Sequence, residues 1–362
     1  MLLLAAPACH ADEDDFAPDY IGERIEVDFE DPEFACPANL EALEEHVAAL
    51  ESYWSRPLSD RLRVSWTSGP APSCERPGCY KDGLARGPYH YLPHELVHGY
   101  LRHAFPRSNL PSFLNEGLAV ALSGADVDYQ RTLTELLSRP EPLPGEDYFG
   151  AGHFARWLLE EYGSEAIARL LDQTEGDDLE SAMRSILGES SAAISARYTS
   201  ESPRYYPGWG VYSCASTGVS VGAPIGAFYK DELSCEHGQS LPFAGDTDTK
   251  LGLLWQATRF TVVDAGSYEI EASQPDSTAL LFGLVRCLEA PGDPFSSPSG
   301  TPSWVRPSFR LRTPIPWELV AANGRSAVDL DAGTYVMWVA RSVADWSEAV
   351  EEGILFVPRL AP

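Results

Sequence analysis

The run HELVH at residues 94–98, with Glu116 eighteen positions further on in the stretch FLNEGLAVALSG, constrains this chain more than any other feature. Residues four apart lie on one face of a helix, so the His94 and His98 imidazoles can converge on one point. Pro93 suits a first helical turn, where its missing N–H would have no partner, and Pro106 marks the end. A second helix is expected from about Pro111 to Ser123, capped by Asn109 and stopped by Gly124. A short turn near Pro106 lets the two helices pack antiparallel and carries Glu116 towards the histidines. Two imidazoles and one carboxylate form a donor set for Zn2+ that leaves a fourth position open. Glu95 stands beside the first histidine, where its carboxylate can take a proton from a water. The competing expectation is a pair of core histidines with two surface carboxylates. Leu96, Val97 and Leu101 face the core in either case.

HELVH followed by NEGLA resembles the gluzincin metallopeptidases, above all in the NEG-x-A context of the M1 aminopeptidases and the peptidase MA-like proteins. The resemblance spans roughly residues 23–200 and is strongest between 92 and 124. It implies zinc held by His94, His98 and Glu116, with Glu95 as general base. Gluzincins also draw an oxyanion donor from downstream sequence, for which Tyr148 and His153, around Gly152, are the candidates. Asn115 and Ala119 match the context of the third ligand without a catalytic role. The Gly-x-Met-x-Asn motif with which M1 enzymes mark the substrate's amino-terminal region is absent ahead of His94, so aminopeptidase specificity is not implied. The later run YFGAGHFARWLLEEYG is similar to the helical tail of peptidase MA-like proteins.

Around this motif, ERIEVDF at 23–29 and RLRVSWT at 61–67 alternate apolar and polar residues as strands do. Asn39 to Trp54 carries Leu40, Leu43, Val47 and Leu50 at helical spacing, and the Pro, Gly and Cys cluster from Ser68 to Gly83 is expected as a loop. Amphipathic segments follow at His153–Tyr162, closed by Gly163, at Glu165–Gln173, capped by Ser164, and at Asp178–Leu187, closed by Gly188. His90, in an extended YHY run, is expected on the edge strand of a cleft, and His103 at a helix C-terminus. His46 and His237 are expected to face solvent. Beyond residue 201, Gly, Pro and Ser punctuate short alternating runs at Phe260–Val263, Ser267–Glu271, Leu280–Arg286 and Thr334–Ala340, the pattern of a sandwich. The expected architecture is therefore an α+β zincin-like catalytic domain over 23–200 and an all-β sandwich domain over 201–362. Trp255, Trp304, Trp317, Trp338 and Trp346 belong to the core of the second part, with carbohydrate or protein binding as the alternative.

The opening MLLLAAPAC resembles the tail of a bacterial lipoprotein signal with Cys9 as the lipidation point, although no basic residues precede Leu2. The acidic stretch after it reads as a tether, giving a signal-like segment and tether over 1–22 and an extracytoplasmic protein, either lipid-anchored in the cell envelope or secreted. No later segment has an apolar run long enough to span a bilayer. Six further cysteines, Cys36, Cys74, Cys79, Cys214, Cys235 and Cys287, suit disulfides in an oxidising compartment. They allow fifteen pairings, and with three on each side of residue 201 either one bridge joins the halves or each half keeps a thiol. A second zinc site at Cys74 and Cys79 lacks another close cysteine pair to complete it. The net charge of −28 repels nucleic-acid phosphates and anionic lipids, which excludes both as partners. The function expected is a zinc-dependent peptidase acting on extracytoplasmic protein or peptide. A non-enzymatic surface binding protein that keeps zinc for structure is the alternative, and a zinc hydrolase of another bond stands behind both.

Overall fold

The computed structural model describes residues 16–30 and 36–206, apart from 69, 72, 75, 124–126, 130 and 175–178, and beyond 206 chiefly the backbone of β-strands. Cys9, Cys214, Cys235, Cys287, His237, Trp304, Trp317 and Trp346 lie outside the described residues.

The first part runs β1 (Tyr20–Ile21), β2 (Ile25–Phe29), α1 (Pro37–Trp54), β3 (Leu62–Trp66), β4 (Cys79–Lys81) and β5 (Leu84–Gly87). These strands form one sheet in the order β1-β2-β3-β5-β4. Strands β2, β3 and β5 are parallel, joined between β2 and β3 by the crossover helix α1, while β1 and β4 run antiparallel at the two edges. Alternation explains the strands: Ile25 and Val27 in β2, and Leu62, Val64 and Trp66 in β3, bury every second side chain. Tyr20 and Ile21, expected in the tether, instead pair with Val27 and Glu26. Strand β4 was not legible because Pro, Gly and Cys dominate residues 68–83 and it has only three residues, and β5, just beyond that stretch, has only four.

Helices α2 (Leu92–Ala104) and α3 (Ser112–Leu122) follow, then β6 (Val127–Asp128), α4 (Leu133–Leu137), α5 (Tyr148–Gln173), α6 (Leu179–Ile186) and α7 (Ser191–Glu201), and β7 (Tyr205–Tyr206) pairs back onto β6. Helix α3 begins with Pro111 at its cap position rather than with Asn109. Within α5 the two segments expected at 153–162 and 165–173 are two helical stretches, the first starting earlier, at Tyr148, and they are broken where Gly163 adopts φ 75° and ψ 161°. That conformation costs glycine little and other residues much, so glycine ends the first stretch and lets the second begin at an angle to it. A continuous core joins sheet and helices through Val64, Leu92, Leu96, Leu114, Leu118, Phe154 and Leu158.

Beyond residue 206 the strands are β8 (Val221–Gly222), β9 (Phe228–Leu233), β10 (Gln239–Pro242), β11 (Gly252–Val262), β12 (Gly266–Ser273), β13 (Leu280–Arg286), β14 (Glu318–Val320), β15 (Arg325–Leu330), β16 (Gly333–Val343) and β17 (Val350–Pro358). One sheet has the order β10-β11-β16-β13-β14, with β8 also on β11, and the other the order β15-β12-β17-β9. Apart from the parallel β8–β11 pair, every pairing in these two sheets is antiparallel.

Two cysteine expectations meet the structure directly. Cys74 and Cys79 form a disulfide, which removes them as metal ligands, and Cys36 is disulfide-bonded as well. With the first two joined to each other, the partner of Cys36 lies outside the described residues.

Candidate metal centre

Helix α2 packs Leu92, Leu96, Val97, Tyr100 and Leu101 into the core, which leaves His94 and His98 on its opposite, partly open side. Gly99 lets the helix settle on the sheet, since a Cβ there would stand 3.0 Å from the Tyr80 ring. Helix α3 buries Phe113, Leu114 and Leu118, and Gly117 brings it against α5 so closely that a Cβ would meet the Ala151 carbonyl oxygen at 2.5 Å. Each ligand-bearing helix thus carries a glycine directly after a candidate ligand, and each glycine sets a close approach.

The result is a small triangle. His94 Nε2 lies 3.1 Å from His98 Nε2 and 3.2 Å from Glu116 Oε2, and His98 Nε2 lies 3.3 Å from the same oxygen. A tetrahedral ion bound at about 2.0–2.1 Å holds its ligand atoms about 3.3–3.4 Å apart. All three sides come close to that spacing, so the residues fit Zn2+. All three contacts are also those of a hydrogen-bonded cluster of two imidazoles and one carboxylate. Glu116 touches both rings and is 17% exposed, so it is not a free surface charge.

Glu95 is placed differently from Glu116. A carboxylate oxygen of Glu95 falls within 4.8 Å of a nitrogen of each imidazole, so by distance Glu95 also stands within the group that could hold an ion. It is 5% exposed and accepts a hydrogen bond from the Tyr80 backbone N–H on edge strand β4. Gly78 makes room for it, because a Cβ there would lie 3.1 Å from Glu95 Oε1. Burial raises the Glu95 pKa, against the pull of His94 and His98. For Glu116, burial pushes the same way, but hydrogen bonds from His94 and His98 override it and hold the carboxyl well below the usual range. Burial opposes a charge on His98, and its contacts with Glu116 nevertheless raise its pKa. The two carboxylates are therefore held differently, Glu116 in favour of its ionised form and Glu95 pushed by burial towards its neutral one.

Of the two oxyanion candidates, only Tyr148 is brought to this cluster. Its ring stacks on His94 with centroids 5.9 Å apart and planes 14° from parallel. His153 goes elsewhere: it is fully buried, its Nδ1 lies 2.7 Å from the Tyr198 hydroxyl, and its Nε2 donates to the Pro203 carbonyl at 2.8 Å. Both nitrogens hold α5 to α7, which takes His153 out of the catalytic set. His90 is not on an edge strand, since Tyr89–Tyr91 form a 3-10 turn, and β4 occupies that edge. His46, expected in solvent, is fully buried on α1 and donates from Nε2 to the Pro93 carbonyl, one residue before His94. His103 is exposed in the last turn of α2, as expected.

Three supporting residues were not given a role by sequence reasoning, which named Asn115 only as context and the other two not at all. The Asn115 side chain approaches His98 closely enough to raise its pKa, without completing a hydrogen bond to the buried Nδ1. Asp147, fully buried just before Tyr148, is gripped by Arg131 at 2.8 Å and Arg139 at 2.8 Å. Arg76 lies over the Tyr148 ring at 4.5 Å and donates to the Leu143 carbonyl at 2.6 Å. Asn115 was the only one with a sequence signal, its place beside Glu116.

No protein-family model and no curated protein matches this chain. Among solved structures, the pre-peptidase C-terminal domain of a collagenase from Bacillus anthracis is 9% identical, with 39% of this chain and 96% of that chain covered at a TM-score of 0.21. A periplasmic inhibitor of g-type lysozyme from Aeromonas hydrophila is 14% identical, with 40% and 96% covered at 0.22. Its counterpart from Salmonella Typhimurium is 12% identical, with 39% and 98% covered at 0.20. Similarity this low carries no argument about fold or function.

Proposed function

We propose that this chain is a zinc-dependent peptidase that hydrolyses peptide bonds in extracytoplasmic protein or peptide. The observation that carries the reading is the closed triangle of His94, His98 and Glu116 with a buried Glu95 carboxyl beside it. When bound there, Zn2+ supplies Lewis-acid polarisation of the scissile carbonyl. Glu95 takes a proton from the attacking water at its carboxylate and later delivers it to the leaving amine. The Tyr148 hydroxyl is the candidate donor to the carbonyl oxygen as negative charge grows on it. The Cys74–Cys79 disulfide beside the site agrees with an oxidising compartment. A structural zinc site has no use for a buried base next to its ligands, which favours the enzyme over a zinc-retaining binding protein.

The test compares the wild-type full chain with Glu95→Gln for zinc content and for cleavage of an unfolded protein. Both should retain zinc, while the variant should lose cleavage about 100- to 10,000-fold. Equal cleavage by the two proteins refutes the role of Glu95, and zinc without cleavage in either favours the binding protein.

A further inference from the structure

We propose that Arg76 forms a subsite for a substrate carboxylate, so that the site selects peptides with an acidic side chain close to the scissile bond. This deepens the peptidase reading and depends on it. Arg76 belongs to the six-residue loop closed by the Cys74–Cys79 disulfide. Two residues on, Gly78 lies against the Glu95 carboxylate, and one residue beyond the bridge Tyr80 donates its N–H to the same group. The loop that carries Arg76 is therefore a wall of the candidate site.

The guanidinium is held but not neutralised. One nitrogen donates to the Leu143 carbonyl, and its carbon sits 4.5 Å from the centre of the Tyr148 ring. Among the described residues it makes no ion pair, whereas Arg24, Arg56, Arg131, Arg139, Arg156, Arg184 and Arg197 each pair with a carboxylate. In a chain of net charge −28, Arg76 is one of the cations held in place without a carboxylate partner among the described residues, as Arg63 is over the Phe16 ring and Arg86 is by the Ser73 hydroxyl. A guanidinium has five N–H donors, so several remain for a carboxylate arriving in its plane. Tyr148 is the shared wall, stacked on His94 and covered by Arg76. The guanidinium is thus no more than two ring contacts from the metal ligand. An extended peptide advances about 3.3–3.6 Å per residue, which sets the carboxylate within roughly three residues of the cleaved bond.

The test measures binding by fluorescence anisotropy to the full-length, zinc-loaded Glu95→Gln protein, with and without Arg76→Gln. The probes are two labelled decapeptides that differ only in carrying glutamate or glutamine at alternate positions. With Arg76 present, the ratio of glutamate-peptide to glutamine-peptide affinity should be at least about tenfold higher than with Arg76→Gln. The glutamine peptide and the zinc content should be unaffected by that substitution. An unchanged ratio, equal weakening of both peptides, or no binding of either overturns the subsite. The peptidase reading fails separately, if the wild-type chain binds these peptides and cleaves none.

Discussion

The described histidines with buried rings take their roles from the partners those rings meet, and the sequence exposes those partners unevenly. His94 and His98 declare themselves by spacing, because four residues of helix bring two rings to one face. His46 and His153 carry no such mark, and only burial shows them as braces for α2 and α5. That difference has a measurable consequence. Burial depresses both to about 4 from the ordinary 6.5, so the folded chain keeps them neutral where the unfolded chain is protonated. Their stabilising contribution is complete above pH 6.5 and is lost as pH falls towards 4. By pH 5 each should contribute about 2 kcal/mol less than at pH 7. Urea denaturation of the chelated protein at the two pH values should show that loss together with an equal one from His90, which burial also depresses to about 4, and His46→Gln should remove about a third of the total. Equal wild-type stability at pH 7 and pH 5 would contradict the assignment.

At the scale of elements, α2 and α3 were legible because proline, apolar spacing and the ligand motif agree along both. The loop around Arg76 was legible as a loop, but strand β4 at its end was not, since a short edge strand in a Gly- and Pro-rich stretch has no periodicity to read. The NEG context gains a physical meaning from packing: Glu116 faces the histidines while Gly117 admits the α5 backbone. Substituting Gly117→Ala places a methyl group 2.5 Å from the Ala151 carbonyl, which must push α3 and α5 apart. The variant should lose about 1–3 kcal/mol of stability and bind zinc more weakly, because Glu116 moves with its helix. Denaturant midpoints together with competition against a zinc-sensitive dye measure both effects. Unchanged zinc affinity in a destabilised variant would separate packing from coordination.

Across the whole molecule, the change of texture near residue 201 was readable, because turn residues punctuate alternating runs from there on. Longer strands came through better than their ends: the expected run at 260–263 is the tail of an eleven-residue strand, and that at 334–340 lies inside another. Short strands such as β8 and β14 gave no signal, as two or three residues cannot display alternation. The acidic excess acts at this scale too, so that a fixed cation beside the candidate site runs against the sign of the molecule's net charge. All of these readings meet at the three-residue triangle, and X-ray absorption at the zinc edge of the purified full-length chain tests it most directly. The account predicts one zinc per chain with a first shell of nitrogen and oxygen only, at about 2.0–2.1 Å, including two imidazoles. A chain that binds no zinc, or a zinc surrounded by sulfur at about 2.3 Å, would contradict it.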